Sequence, residues 1–469
     1  MNTAYVGVFG MGVMGQSIAL NIAKSGYKTV VYNRGTEKTK DFIKKAQNNE
    51  NIIASYDLKE FISSIERPRR ILLMLTAGPV VDAVIEEMLP LLDKGDIIID
   101  GGNTYFKDTI RRESYLKEKG IYFIGTGISG GEKGALEGPS IMPSGDREAY
   151  KLVENMFMDI SAKTSDNFPC CTYIGPNGSG HFVKTVHNGI EYADIQLICD
   201  IYQIMRVSCD MTIEEIQEVF EKWNTGRLKS YLIEITSKIL KVKDKETGKP
   251  ILDIISDKAA QKGTGKWTSI EAINLDVPVP SIVESVLARF LYALKDDRIN
   301  ASKIFKTSHK KQIVHKEEFI DHLENALYAA KICVYAQGYQ LLQEISKVYD
   351  WNLDLGQISL IWREGCIIRA DFLNDISRTY AKDKALVNLM VSEYFSDCLK
   401  EAEDSFRLVC VFAIQNGIYV PGLMSTLSYF DGYRTENSQG NLLQAQRDFF
   451  GAHTYRRVDK QGIFHTIWE

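Results

Sequence analysis

The sequence predicts an α/β domain joined to an all-α domain, with a doubly wound sheet first and a large helical domain after it. Three observations predict this. A strand, a glycine turn, a helix and a second strand follow one another within about thirty residues of the start. Short apolar runs suited to buried parallel strands then recur up to about residue 178. Beyond that point they vanish, and long 3.6-residue periodicities take over. We therefore place a Rossmann-type dinucleotide-binding domain at 1–178, an all-helical domain at 179–435, and a C-terminal tail at 436–469.

The first strand covers residues 4–9, and Gly10-Met11-Gly12-Val13-Met14-Gly15 follows it. An amphipathic helix carrying Ile18, Ala19, Ile22 and Ala23 ends at Gly26, and a strand over 29–32 comes next. Glycines at this spacing let the backbone approach a pyrophosphate, and the helix N-terminus offers it free N–H groups. An ordinary tight turn is the competing reading, and the strand–turn–helix setting argues against it. The second strand runs into Asn33-Arg34-Gly35, where an NAD site usually carries an acidic residue for the ribose hydroxyls. An arginine there attracts a 2′-phosphate and favours NADP, with Lys38 adding charge.

Further strands are predicted at 70–75, 96–100 and 121–124, with helices at 79–92 and 107–119. Their carboxyl ends carry Leu75-Thr76-Ala77-Gly78, Gly101-Gly102-Asn103 and Gly125 through Ser129-Gly130-Gly131. Ligands bind beyond those ends in such sheets.

In the helical half, helices are predicted at 182–207, 212–222, 281–294 and 383–415, and Phe319, Leu323, Ala326, Leu327, Ala330, Val334 and Leu341 mark another. The charged segment 241–249 reads as a surface loop and the polar segment 431–440 as a linker. Lys184, His187, Asn188 and Glu191 stand at i, i+3, i+4 and i+7, so they share one helix face. An amine, an imidazole, an amide and a carboxylate in one stripe supply a base, a proton donor and hydrogen-bonding groups. A solvated polar face has the same spacing. The glycine-rich lead-in at 175–180 and the absence of a charge run favour a reaction site. Gln261-Lys262-Gly263-Thr264-Gly265-Lys266-Trp267 is a basic, glycine-containing loop able to hold a phosphate, although it lacks Walker A spacing.

Composition narrows the field. The net charge of −5 argues against nucleic acid as a partner. No apolar run is long enough to span a bilayer. The eight cysteines are scattered and show no zinc-site spacing, so no metal is expected, and reduced thiols in a cytoplasmic protein are.

Taken together, the motifs resemble those of the decarboxylating 6-phosphogluconate dehydrogenases over the whole length. The most specific match is 255–267, reading Ile255-Ser256-Asp257-Lys258-Ala259-Ala260-Gln261-Lys262-Gly263-Thr264-Gly265-Lys266-Trp267. His181-Phe182-Val183-Lys184 through Glu191-Tyr192, residues 98–103, residues 138–143 and Arg447-Asp448-Phe449-Phe450-Gly451-Ala452-His453 also match. The resemblance implies oxidation and decarboxylation of 6-phospho-D-gluconate to D-ribulose 5-phosphate and CO2 with reduction of NADP+, a step of the pentose phosphate pathway. It implies Lys184 as general base and Glu191 as general acid. It implies cofactor contacts from the 10–15 turn, Asn33, Arg34, Gly35, Leu75, Thr76, Ala77 and Asn103. Asn103, Ser129, Gly130, Gly131, His187 and Asn188 would hold the sugar acid, and Tyr192, Lys262, Thr264 and Arg289 its phosphate. It also implies a homodimer in which Arg447 and His453 of each tail reach the neighbouring subunit's site.

The chain departs from the family pattern at Gly35, where Ser or Thr is usual, and at Thr76, where lysine is usual. Lys133 and Glu364 differ from the common Glu and Gly. A non-decarboxylating β-hydroxyacid dehydrogenase would share the N-terminal motif and the lysine, but not the Lys-Gly-Thr-Gly-x-Trp loop or the Arg/His tail. A non-catalytic NADP-binding protein would be expected to lack Lys184 or Glu191, and both are present.

Overall fold

A computed structural model of the chain describes residues 3–46, 49–207, 209–259, 263–306 and 315–468. Seven strands form one sheet: β1 Val6–Phe9, β2 Thr29–Tyr32, β3 Ile52–Ala54, β4 Arg70–Leu73, β5 Ile97–Asp100, β6 Tyr122–Ile128 and β7 Ile141–Gly145. Their order is β3-β2-β1-β4-β5-β6-β7, parallel except for the antiparallel β6–β7 pair. The strand order reverses direction at β1, between β2 and β4. That switch point opens a crevice beyond the carboxyl ends of the strands. Strands β1, β2, β4 and β5 are buried at every position, which accounts for their unbroken apolar runs.

The strands and helices expected in this half are present with small shifts at their ends. β3 and β7 were not expected. β3 has three residues and a weak pattern. β7 contains Pro143 and ends at Gly145, which masks it as a turn-like motif. Its pairing with Ile124 through Ile128 carries β6 four residues past the predicted end at 124.

Two long helices organise the second half. Ser179–Val207 and Lys316–Val348 lie against each other and are buried along most of their length. Between them Lys331 Nζ donates to both carboxylate oxygens of Asp194 at 2.6 Å, with each side chain only 2% exposed. Helices Thr264–Asn274 and Pro280–Ala293 pack on the first of these helices. The predicted helix over 383–415 begins only at Glu393, because the Ser392 hydroxyl accepts from Phe395 N–H and starts the helix there. The stretch before it holds a short turn, Leu389–Val391, capped by Asn388. The linker expected at 431–440 is shorter than read, since helix Pro421–Tyr433 runs into it and helix Gly440–Gly451 starts at its end.

Glycines seat the Ser179–Val207 helix directly on the sheet. A Cβ on Gly127 would lie 2.5 Å from Lys184 Cβ, and one on Gly180 would lie 2.1 Å from the Met142 carbonyl oxygen. The face carrying Lys184 is thereby held over the end of β6. On the far side a Cβ on Gly189 would lie 2.5 Å from Thr268 Cγ2. Thr268 in turn donates to the Thr185 carbonyl at 2.7 Å.

Candidate active site

A cleft of about 830 Å³ opens between the carboxyl ends of the strands and the helical half. Lys184, Asn188, Glu191 and Tyr192 line it from the Ser179–Val207 helix. Ser129, Gly130 and Gly131 line it from the end of β6, and Asn103 from the end of β5. Thr264 and Arg289 close the helical side, while Met14, Leu75, Thr76 and Ala77 enter from the dinucleotide side. Fourteen residues of the predicted catalytic, cofactor and substrate sets, from segments far apart in the chain, are thus brought to one place.

The stripe at its centre is a short polar row. Lys184 Nζ donates to Ser129 Oγ at 2.9 Å and lies 3.4 Å from His187 Nδ1. That ring nitrogen is 3.1 Å from Asn188 Oδ1 and 3.8 Å from Glu191 Oε2. The other ring nitrogen lies 3.4 Å from Ser129 Oγ. His187 thus stands between the amine and the carboxylate, with its edge against Trp362 behind.

Burial sets the protonation of the row. It disfavours the Lys184 ammonium and lowers its pKa, with Glu191 and Cys366 partly opposing. His187 falls well below its ordinary range through the same burial and the neighbouring Lys184, so it is a neutral imidazole. Burial raises Glu191, with Lys184 and Arg289 partly opposing. A lysine drawn towards neutrality and a carboxyl drawn towards protonation suit a base and an acid. The alternative reading of the stripe as a solvated polar face is excluded, since Lys184, His187 and Asn188 are all buried.

Next to the row, the Arg289 guanidinium lies 3.5 Å from the centre of the Tyr192 ring. Helix Thr264–Asn274 approaches closely there, and a Cβ on Gly265 would lie 2.5 Å from the Tyr192 ring. The first-turn N–H groups of that helix and the guanidinium form a cationic corner suited to a phosphate. Lys262 lies outside the described residues. Arg447 and His453 are not brought to this chain's own cleft. Arg447 donates to Gln444 at 3.1 Å, and the His453 ring packs on Phe450.

The turn after β1 fits a dinucleotide. Gly10 adopts φ +111°, and a Cβ on Gly15 would lie 1.8 Å from the Gly10 carbonyl oxygen. Gly12 faces open space, and helix Val13–Lys24 has neither a side-chain cap nor an acid in its first turn. Its N–H groups are therefore available to a pyrophosphate. Asn33 Oδ1 accepts from Met11 N–H at 3.0 Å and ties the turn to the end of β2. Asn33 Nδ2 donates to the Gly35 carbonyl. Arg34 Nη2 meets Glu87 Oε2 at 2.5 Å. The departures at Lys133 and Glu364 form ion pairs with Glu137 and Arg369.

Sequence reasoning missed Tyr105, Asp108 and Ile367, which line the cleft together with Trp267 of the predicted phosphate loop. Tyr105 and Lys107 donate to the buried Glu271 carboxylate across the cleft mouth, and Tyr105 packs against Trp267. The position of Tyr105, two residues past Asn103 at a strand end, was the one signal available.

Comparison with known proteins agrees with this geometry. The model of the NAD binding domain of 6-phosphogluconate dehydrogenase matches residues 5–175, and that of the 6-phosphogluconate dehydrogenase C-terminal domain matches 180–468. The chain is 51% identical over 469 residues to the NADP(+)-dependent, decarboxylating 6-phosphogluconate dehydrogenase of Bacillus subtilis, covering all of both chains. It is 50% identical over 464 residues to the NAD(+)-dependent decarboxylating enzyme of the same organism, covering 99% of each. The solved 6-phosphogluconate dehydrogenase of Plasmodium falciparum, studied in apo form and with its cofactor NADP+ and its substrate 6-phosphogluconate, superposes with a TM-score of 0.95. It is 42% identical, over 99% of this chain and 100% of that one. With family models matching nearly end to end and relatives near half identity over their full length, this chain belongs to the 6-phosphogluconate dehydrogenase family.

Proposed function

We propose that the protein oxidises and decarboxylates 6-phospho-D-gluconate to D-ribulose 5-phosphate and CO2, with NADP+ as its preferred oxidant. The observation that carries this reading is the row of buried Lys184 and His187 and half-buried Glu191, with Ser129 and Asn103 at its side and the Thr264–Arg289 corner beyond. The cofactor, when bound, supplies the hydride acceptor. Neutral Lys184 takes the proton of the C3 hydroxyl, aided by the desolvation that lowers its pKa. The protonated amine then hydrogen-bonds the C3 ketone of the β-keto acid. Electrons released as CO2 departs are stabilised at that oxygen. Glu191, held towards its acid form and about two turns along the helix, returns a proton to the former C2 of the enediol, which becomes C1 of ribulose 5-phosphate. Neutral His187 and Asn188 orient the sugar acid between them.

The phosphate goes to Tyr192, Thr264 and Arg289, with Lys262 two residues before Thr264 in the sequence. Arg447 and His453 would complete this corner from the partner subunit of a homodimer. The tail has the surface for that role. Phe450 is 71% and Ile467 86% exposed, and Leu442, Leu443 and Phe449 are also open, apolar area that a partner would bury. Its internal order comes from the Asp448 carboxylate, which accepts from Thr454 N–H, Thr466 N–H, His465 and Trp468. No helix among the described residues is long and apolar enough to cross a membrane, in keeping with a cytoplasmic enzyme.

The reading is tested by supplying 6-phosphogluconate with either cofactor and following reduced cofactor and CO2 together. Equal amounts of the two products support it. Cofactor reduction without CO2 would instead identify a non-decarboxylating β-hydroxyacid dehydrogenase.

A further inference from the structure

The two Bacillus relatives have opposite cofactor names at nearly equal identity, so overall similarity does not set cofactor choice here. Local charge at the end of β2 must set it. Two of the positions that would contact a 2′-phosphate carry Gly35 and Thr76, neither of them a cation. Arg34 is the main positive group left, and Glu87 already holds it. Nε and Nη2 of Arg34 meet the same Glu87 oxygen at 3.1 and 2.5 Å, from helix Pro79–Met88. The pair is half-exposed, at 51% and 41%.

We propose that Glu87 is a specificity-determining residue that masks Arg34 and lowers the enzyme's preference for NADP+ over NAD+. This rests on the assignment of Arg34 to the 2′-phosphate. The physical reason is competition. A 2′-phosphate must displace the Glu87 carboxylate from the guanidinium, and it then sits beside that negative charge. A cofactor with free ribose hydroxyls meets neither obstacle. Because the pair is exposed, the effect is modest and salt-sensitive. Removing the Glu87 charge should favour the phosphorylated cofactor by about two- to fivefold at low ionic strength. Glu87 thus narrows the gap between the two cofactors.

The test compares wild type, Glu87→Gln, Arg34→Ala, the double variant and Glu86→Gln. Glu86→Gln makes the same charge change one residue earlier, at a side chain that faces Tyr115. Two quantities are read. One is the dissociation constant of adenosine 2′,5′-bisphosphate by calorimetry, and the other is the ratio of kcat/KM for NADP+ to that for NAD+. We expect Glu87→Gln to tighten the bisphosphate and raise the ratio by similar factors, with the gain shrinking as salt is added. We expect no gain from Glu86→Gln, and none from Glu87→Gln in the Arg34→Ala background. If Arg34→Ala weakens the bisphosphate while Glu87→Gln matches wild type, the masking role is wrong and the Arg34 assignment stands. A gain that persists without Arg34, or that Glu86→Gln reproduces, also overturns it as a general charge effect. If Arg34→Ala leaves bisphosphate binding unchanged, both the assignment and the inference fall.

Discussion

The Lys184 side-chain nitrogen lies 2.9 Å from the Ser129 hydroxyl oxygen, joining the helix that carries the base to the loop that ends β6. The contact is possible because Gly127 has no side chain where Lys184 passes. It places the amine inside protein, where burial favours the neutral form against the opposing pull of Glu191 and Cys366.

That burial has a consequence for stability. The folded pKa of Lys184 is lowered, so the unfolded chain binds more protons between the folded value and the ordinary 10.5. Stability therefore rises with pH across that window, and below it the folded state bears the full cost of a buried charge. Lys184→Met removes that cost. We expect the variant to melt above wild type at neutral pH, and the difference to narrow as pH rises towards 10.5. Thermal melts of both proteins across that range check this. A Tm difference independent of pH would show that Lys184 carries no depressed pKa.

The Asp194–Lys331 pair carries a second prediction. Removing one member leaves the other charged and buried. Asp194→Ala should cost about 3–5 kcal/mol, while the double change Asp194→Leu with Lys331→Met should recover most of it. Urea unfolding of wild type and the two variants measures this. If Asp194→Ala costs under about 1 kcal/mol, the pair is solvated in solution, since that is the value of an exposed ion pair.

Much of the site could be read from the sequence because its chemistry is concentrated in short local patterns. The 10–15 turn, the helical spacing of Lys184, His187, Asn188 and Glu191, and the glycine ends of β5 and β6 each declare themselves within a few residues. What escaped depends on partners distant in the chain. β7 needs β6 to define it, and Pro143 disguises it. Tyr105 gains meaning only when helix Thr264–Asn274 brings Glu271 and Trp267 across the cleft. Glu87 reads as an ordinary surface carboxylate until β2 places Arg34 against it. The start of the helix at Glu393 turned on one hydroxyl, Ser392, where periodicity alone gave no stop.

The tail is tested by complementation. Lys184→Ala keeps an intact tail, and Arg447→Ala keeps an intact base. Each should be nearly inactive alone. Dissociating, mixing and reassociating them should restore activity, because a heterodimer with crossed tails has one wholly wild-type site. Verified heterodimers that stay inactive would show that each tail serves its own subunit.

The most direct test of the account is the activity of Lys184→Ala, measured beside its affinity for 6-phosphogluconate. Removing a general base should lower kcat by about 10²-fold or more. Substrate should still bind within a few-fold of wild type, held by the Thr264–Arg289 corner that the substitution leaves intact. A variant that binds substrate normally and keeps more than about a tenth of wild-type turnover would contradict the role assigned to Lys184.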